Sequence, residues 1–223
     1  MSPAPFPRDT FCPQGELTMD ADVQLRLRRL RAAIGDTEES KLEELPPRIV
    51  VSDKGILVQQ DFNGNLSEEQ LLNHAHAVIH QIASMTDNLK RWAAKTDRDK
   101  SKVDETLQHS EAIKLLTDIW NLEKHGAPDR SGGLSRKSPR LVDVHRGMEI
   151  RTGSTGVWTG ITMGPKGLVK FGDGNAVAKL DGDIINSQGR RIASLQNCIR
   201  EALSAWEALI MAFGLPLDPE PLP

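Results

Sequence analysis

Tyrosine is absent from the 223 residues, and phenylalanine and tryptophan contribute only five and four. So few rings argue against an RNA-recognition sheet that stacks bases on aromatic side chains. Cysteine is as scarce: Cys12 and Cys198 stand at opposite ends of the chain, neither near another cysteine at metal-ligand spacing. That excludes a zinc ribbon and a redox C-x-x-C motif, and the expected state is two reduced thiols in a cytoplasmic protein. Long apolar runs are missing too. The longest, Ala208 to Phe213, has six residues, far fewer than the roughly 20 that span a bilayer. The opening MSPAPFPRDTFC places prolines where a secretory signal needs an apolar stretch, so neither membrane insertion nor classical secretion is expected.

What is present suits a soluble globular chain: 38% hydrophobic residues, 18 glycines, 26% charged residues and a formal net charge of −3. At roughly 150 residues per domain, one or two domains are expected. The charge is unevenly spread. Residues 127–192 hold 11 basic and 6 acidic side chains, a local net of +5, while the rest of the chain is acidic. A positive segment can recruit polyanions by counterion release; a solvated basic loop is the alternative.

Four of the 13 prolines fall in the first 13 residues and four in the last eight. Residues 1–20 and 216–223 therefore read as Pro-rich tails. Asp20 and Asp22 precede Val23, Leu27, Leu30 and Ile34, which predicts an amphipathic helix over 21–34, stopped at Gly35. Its Arg26, Arg28, Arg29 and Arg31 form either a nucleic-acid stripe or a solvated face. Two β-rich runs joined at Asp53-Lys54-Gly55 predict a hairpin over 48–60. Ser67-Glu68-Glu69-Gln70 matches a capping box and opens a long helix over 67–95, with Leu72, Ala75, Ile79, Ile82, Leu89 and Ala93 on one face.

The charged segment 95–104 interrupts that pattern, and a second long helix is expected over 105–124. Residues 127–140 form a basic linker, and 141–187 alternate short β-rich runs with Gly-containing turns, which reads as a small antiparallel β-meander. A last helix over 193–213, with Cys198 on its apolar face, closes at Gly214 and Pro216. The expected class is α+β. An antiparallel helical core spans 21–126 and is completed by 188–215; the hairpin lies near its start and the meander is inserted.

The chemistry-bearing candidates are few. His74, His76 and His80 hold three of the six histidines, but Ala77 replaces the Glu of H-E-x-x-H and no third ligand stands at helical spacing. No metal or cofactor is expected. No G-x-x-x-x-G-K-[ST], G-x-G-x-x-G or G-x-S-x-G occurs, and Gly172-Asp173-Gly174-Asn175 lacks the last Glu of a calcium loop. The remaining motif is Asp118, Asn121, Lys124 and His125, ahead of Gly126. Asp118, Asn121 and His125 share one helix face, and an imidazole in a last helical turn beside a carboxamide and a lysine could move protons or hold a phosphate. The same residues also serve as helix-ending and loop-fixing groups.

Asn121-x-x-x-His125-Gly126, near the end of a long helix, resembles the signature of the HEPN superfamily (higher eukaryotes and prokaryotes nucleotide-binding). The wider D-x-x-N-x-x-K-H string is similar to uncharacterised bacterial proteins. The resemblance implies a helical bundle, commonly dimeric, in a family with many metal-independent ribonucleases of defence and toxin systems. It implies His125 as the catalytic histidine and Asn121 as its polar companion. The family's arginine falls on Trp120, which leaves Arg91, Arg130 or a partner chain to supply a guanidinium.

Two principal readings follow. In the first, the chain is a non-catalytic interaction protein, with a protein partner or a homodimer formed through the helical core. In the second it is a ribonuclease using His125, Asn121, Lys124 and Asp118, with Arg130, Arg136, Lys137 and Arg140 steering RNA. A third places nucleic-acid binding on the basic 127–192 region, where Trp158 and Phe171 are the only rings for stacking.

Overall fold

The computed structural model describes residues 19–38, 40–41, 47–52, 55–60, 62–63, 66–126, 132–151, 160–164, 167–172 and 175–217. Helix α1 (Met19–Glu38) is followed by β1 (Ser40–Lys41) and the hairpin β2 (Pro47–Ser52) and β3 (Gly55–Gln60). Then come α2 (Glu68–Lys95), α3 (Ser101–His109) and α4 (Glu111–His125). An excursion of β4 (Arg140–Arg151), β5 (Gly160–Gly164), β6 (Gly167–Phe171), β7 (Asn175–Ile185) and β8 (Arg191–Ser194) leads into α5 (Leu195–Ala212). The class is α+β, with a helical core and a small antiparallel sheet.

Helix α2 organises the core. Its start is the expected capping box: the Ser67 hydroxyl accepts from the Gln70 amide and the Gln70 side chain accepts from the Ser67 amide. Leu71, Ala75, Ile79, Ile82 and Leu89 are completely buried along one face. Paired contacts give the helix directions. His76 meets Glu123 and His80 meets Trp120, so α4 runs antiparallel to α2. Arg31 meets Glu207 and Gln24 donates to the Pro216 carbonyl, so α5 runs antiparallel to α1.

The structure differs from the sequence expectation at three helix boundaries. Helix α1 continues through Gly35 to Glu38. One interior glycine costs a helix only about 1 kcal/mol, and Val23, Leu27, Leu30 and Ile34 anchor this one in the core. The single helix expected over 105–124 is two helices broken at Ser110. Its backbone is extended (φ −89°, ψ 108°), its N–H caps α3 on Thr106, and its hydroxyl accepts from Ile113 to start α4. The charged stretch expected to break helicity contains the first turn of α3, because Val103 is fully buried and Asp99 accepts from the Ser101 amide.

The β excursion is antiparallel throughout, with nested pairing: β4 pairs with β7, and β5 with β6 between them. Strand β7 runs unbroken from Asn175 to Ile185, passing through Gly182. On its other edge β7 pairs with β1 and β8. This sheet joins the core. Val177, Ala178, Leu180 and Ile184 are buried, the last two among the residues of α1, α2 and α5. Ser194 ends β8 and caps α5 by accepting from the Asn197 amide.

Candidate functional site

The last two turns of α4 hold every residue of the D-x-x-N-x-x-K-H string, and the structure divides them. Asp118 is buried, 7% exposed. One carboxylate oxygen accepts from the Leu134 amide at 2.8 Å; the other accepts from the Ser135 amide at 2.8 Å and the Ser135 hydroxyl at 2.6 Å. Three donors on an anionic acceptor make a strong, directional anchor.

The anchored segment belongs to the basic linker of the sequence reading, and residues 132–139 form a folded loop. The Ser138 amide returns to the Gly132 carbonyl at 3.0 Å and the Arg136 amide to Gly133 at 3.2 Å. Gly133 sits at φ +77°, and a Cβ there would lie 2.4 Å from the Asp118 carboxylate. Only glycine provides both the left-handed backbone and the close approach.

Asn121, Lys124 and His125 stand exposed beyond this anchor. Among the described residues their side chains make no hydrogen bond or ion pair. Helix α4 ends behind them at Gly126, whose left-handed φ of 69° lets its N–H reach the Leu122 carbonyl at 2.8 Å. The structure thus leaves His125 reachable by solvent with Asn121 one turn away, while Asp118 is committed to the loop.

The side chain just before Asn121 faces inward. Trp120 packs against the core and its ring centroid lies 4.1 Å from that of His80 on α2. One turn along, His76 Nε2 is 3.8 Å from the Glu123 carboxylate. Two of the three clustered histidines therefore belong to the α2–α4 interface. Among the described residues no group of three or more His, Cys, Asp or Glu side chains converges on a point.

The basic residues part company as well. Arg130 lies outside the described residues. Arg136 and Arg140 are exposed, the latter at the head of β4. Lys137 is held 2.8 Å from the Glu111 carboxylate, which also binds Lys114 at 3.0 Å. Burial pushes the Glu111 pKa up, but Lys137 and Lys114 outweigh it and hold the carboxyl below its ordinary range.

A depressed carboxyl pKa contributes stability above the unfolded-state value of roughly 4.3, lost as pH falls through the folded-state value. In urea melts, the stability difference between wild type and Lys137→Gln should be constant above about pH 5.5 and shrink as pH falls through the folded-state value. A difference that does not change with pH would show that the ammonium is not what holds Glu111.

Cys198 is buried and reduced, and burial, reinforced by Glu201, pushes its thiol up to about 12. It packs as a small hydrophobe and is no nucleophile. Cys12 lies outside the described residues.

Among the described residues, two grooves open elsewhere. One of about 620 Å³ lies between α3 and α5, lined by His109, Ala205, Leu209 and neighbours. The other, about 280 Å³, lies between α1 and α2. Neither is lined by Asn121, Lys124 or His125.

Sequence reasoning placed Asp118 beside His125 by helical spacing and missed Gly133 and Ser135, its actual neighbours. The available signal was Ser131-Gly132-Gly133-Leu134-Ser135, a donor-rich, glycine-bearing turn downstream of a helical acid. Compared with known proteins, the chain matches no family model, no curated protein and no solved structure.

Proposed function

We propose that the chain is a non-catalytic, HEPN-like helical interaction protein whose D-x-x-N-x-x-K-H string ends a helix and fastens a loop. The observation that carries this reading is the division of the string. Asp118 spends both carboxylate oxygens on residues 134 and 135, while Asn121 and His125 stand exposed to solvent. Catalysis on RNA needs donors fixed where phosphate charge develops, in a site that restrains water. Trp120, packed on His80, supplies no guanidinium for that purpose.

Exposed apolar side chains support the interaction half of the reading. Met148, Val169 and Phe171 lie on the β excursion, each more than 40% exposed. A protein surface is the partner class that such side chains fit. The family resemblance adds the setting, an assembly of defence or toxin type.

The test is incubation of end-labelled RNA with the full chain at low salt, without added metal, for wild type and His125→Ala. Intact RNA in both is expected. So is an unchanged melting temperature for the variant, since substituting an exposed surface side chain shifts stability by within about 0.5 kcal/mol. Cleavage by wild type that disappears in His125→Ala would establish the ribonuclease reading instead, which the solvent-reachable imidazole favours.

A further inference from the structure

The arginines of α1 read as one group in sequence, and the fold separates them. Arg31 crosses to α5, its guanidinium 2.7 Å from Glu207. Arg26 pairs with Asp22 one turn back on its own helix, at 3.0 Å, and keeps 40% of its side chain exposed. Arg29, one turn on from Arg26, is exposed, and among the described residues its guanidinium has no hydrogen bond or ion pair. Arg26 and Arg29 both line the groove of about 280 Å³ between α1 and α2.

The opposite wall comes from α2. Gln81, Ser84 and Asn88 recur at i, i+3 and i+7, so they share one helix face, and His80 stands beside them. The Gln81 and Asn88 carboxamides each carry N–H donors, while the Ser84 hydroxyl donates to the Gln81 main-chain carbonyl at 3.0 Å. Arg91 donates to the Asn88 carboxamide oxygen at 3.4 Å, which occupies that acceptor and leaves the amide N–H groups of Asn88 as its donors. Leu30 and Met85, 1% and 2% exposed, make the floor. No carboxylate lines the groove; the nearest acid on this stretch of α1 is Asp22, already paired.

We propose that the α1–α2 groove is a binding site for a small phosphorylated molecule, with Arg26 and Arg29 on its phosphoryl group and the α2 face donating to its remaining oxygens. Guanidinium forks match phosphate oxygens bidentately, and a wall of neutral donors without acceptor carboxylates selects an anion over a cation. The volume is at the lower end of ligand pockets, which fits a phosphate ester rather than a large ligand. Arg31 is turned away to Glu207, so the positive surface is a local patch and not a track for a polynucleotide. This inference concerns a different surface from His125 and does not rest on the reading above.

The experiment is calorimetric titration of the full chain with inorganic pyrophosphate at low salt. Tryptophan emission gives a second readout, because Trp120 packs on the groove residue His80. Saturable binding at one site per chain is expected. Arg29→Gln should weaken it by about tenfold or more, the scale of a lost charge-assisted hydrogen bond. Asn88→Ala, which changes no charge, should weaken it several-fold, and Lys95→Gln, at the far end of α2, should leave it unchanged. No saturable heat overturns the proposal. So does an equal loss in Lys95→Gln and Arg29→Gln, which would reveal diffuse charge attraction. Single-stranded RNA that displaces pyrophosphate and binds more tightly through Arg29 would also overturn it, by making the ligand a polynucleotide.

Discussion

Asp118→Ala is expected to lower the stability of the folded chain by roughly 3 kcal/mol while leaving helix content almost unchanged. The carboxylate is the acceptor for the amides of Leu134 and Ser135 and for the Ser135 hydroxyl. Removing it leaves part-buried donors unsatisfied, each costing about 1–3 kcal/mol, with some relief as the loop reaches water. Asp118→Asn should recover only part of the loss, since an amide nitrogen cannot accept from the groups facing it. For a chain of this size the corresponding fall in melting temperature is about 6–12 °C.

Gly133→Ala tests the same junction from the other side. Its Cβ would collide with the Asp118 carboxylate and sit at φ +77°. The collision disappears in the double variant, so urea denaturation of the four proteins should show less than additive losses. A loss below 1 kcal/mol for Asp118→Ala, or strict additivity, would mean the loop is fastened elsewhere.

Trp92→Ala should be more damaging, at about 3–5 kcal/mol, because it empties the joint where α1, α2 and α5 meet. The ring is 1% exposed. Its N–H donates to Asp20 at 2.8 Å, the Arg98 guanidinium lies over its face at 4.4 Å, and Phe213 meets it edge-on at 5.4 Å. Trp92→Phe keeps a ring for Arg98 and Phe213 but loses the bond to Asp20, so its cost should be about 1–2 kcal/mol. Denaturant midpoints of the two variants separate packing from hydrogen bonding. Equal losses would assign the whole effect to the indole N–H.

Local chemistry accounts for what the sequence conveyed well. The Ser67–Gln70 capping box, the 47–60 hairpin and the left-handed Gly126 stop each depend on residues within a few positions of one another. The break at Ser110 was equally local, a serine cap ahead of Ile113, yet the apolar residues on both sides obscured it. Expectations failed where distant packing outweighed local preference: burial of Val103 drew a charged segment into α3, and the packing of α1 carried that helix past Gly35.

The candidate site shows the division most clearly. Helical periodicity alone put Asp118, Asn121 and His125 on one face, since that depends only on a repeat of about 3.6 residues. It could not assign them different surroundings. A loop 16 residues downstream closes over Asp118 and stops short of Asn121 and His125, leaving one an internal anchor and the others open to solvent. In the same way, sequence placed four arginines on α1, but contact with α5 and α2 decided that Arg31 became a brace and Arg29 an exposed charge beside a groove. Which groups a helix can present follows from backbone geometry. Which of them stay available for chemistry depends on what the rest of the chain folds against them.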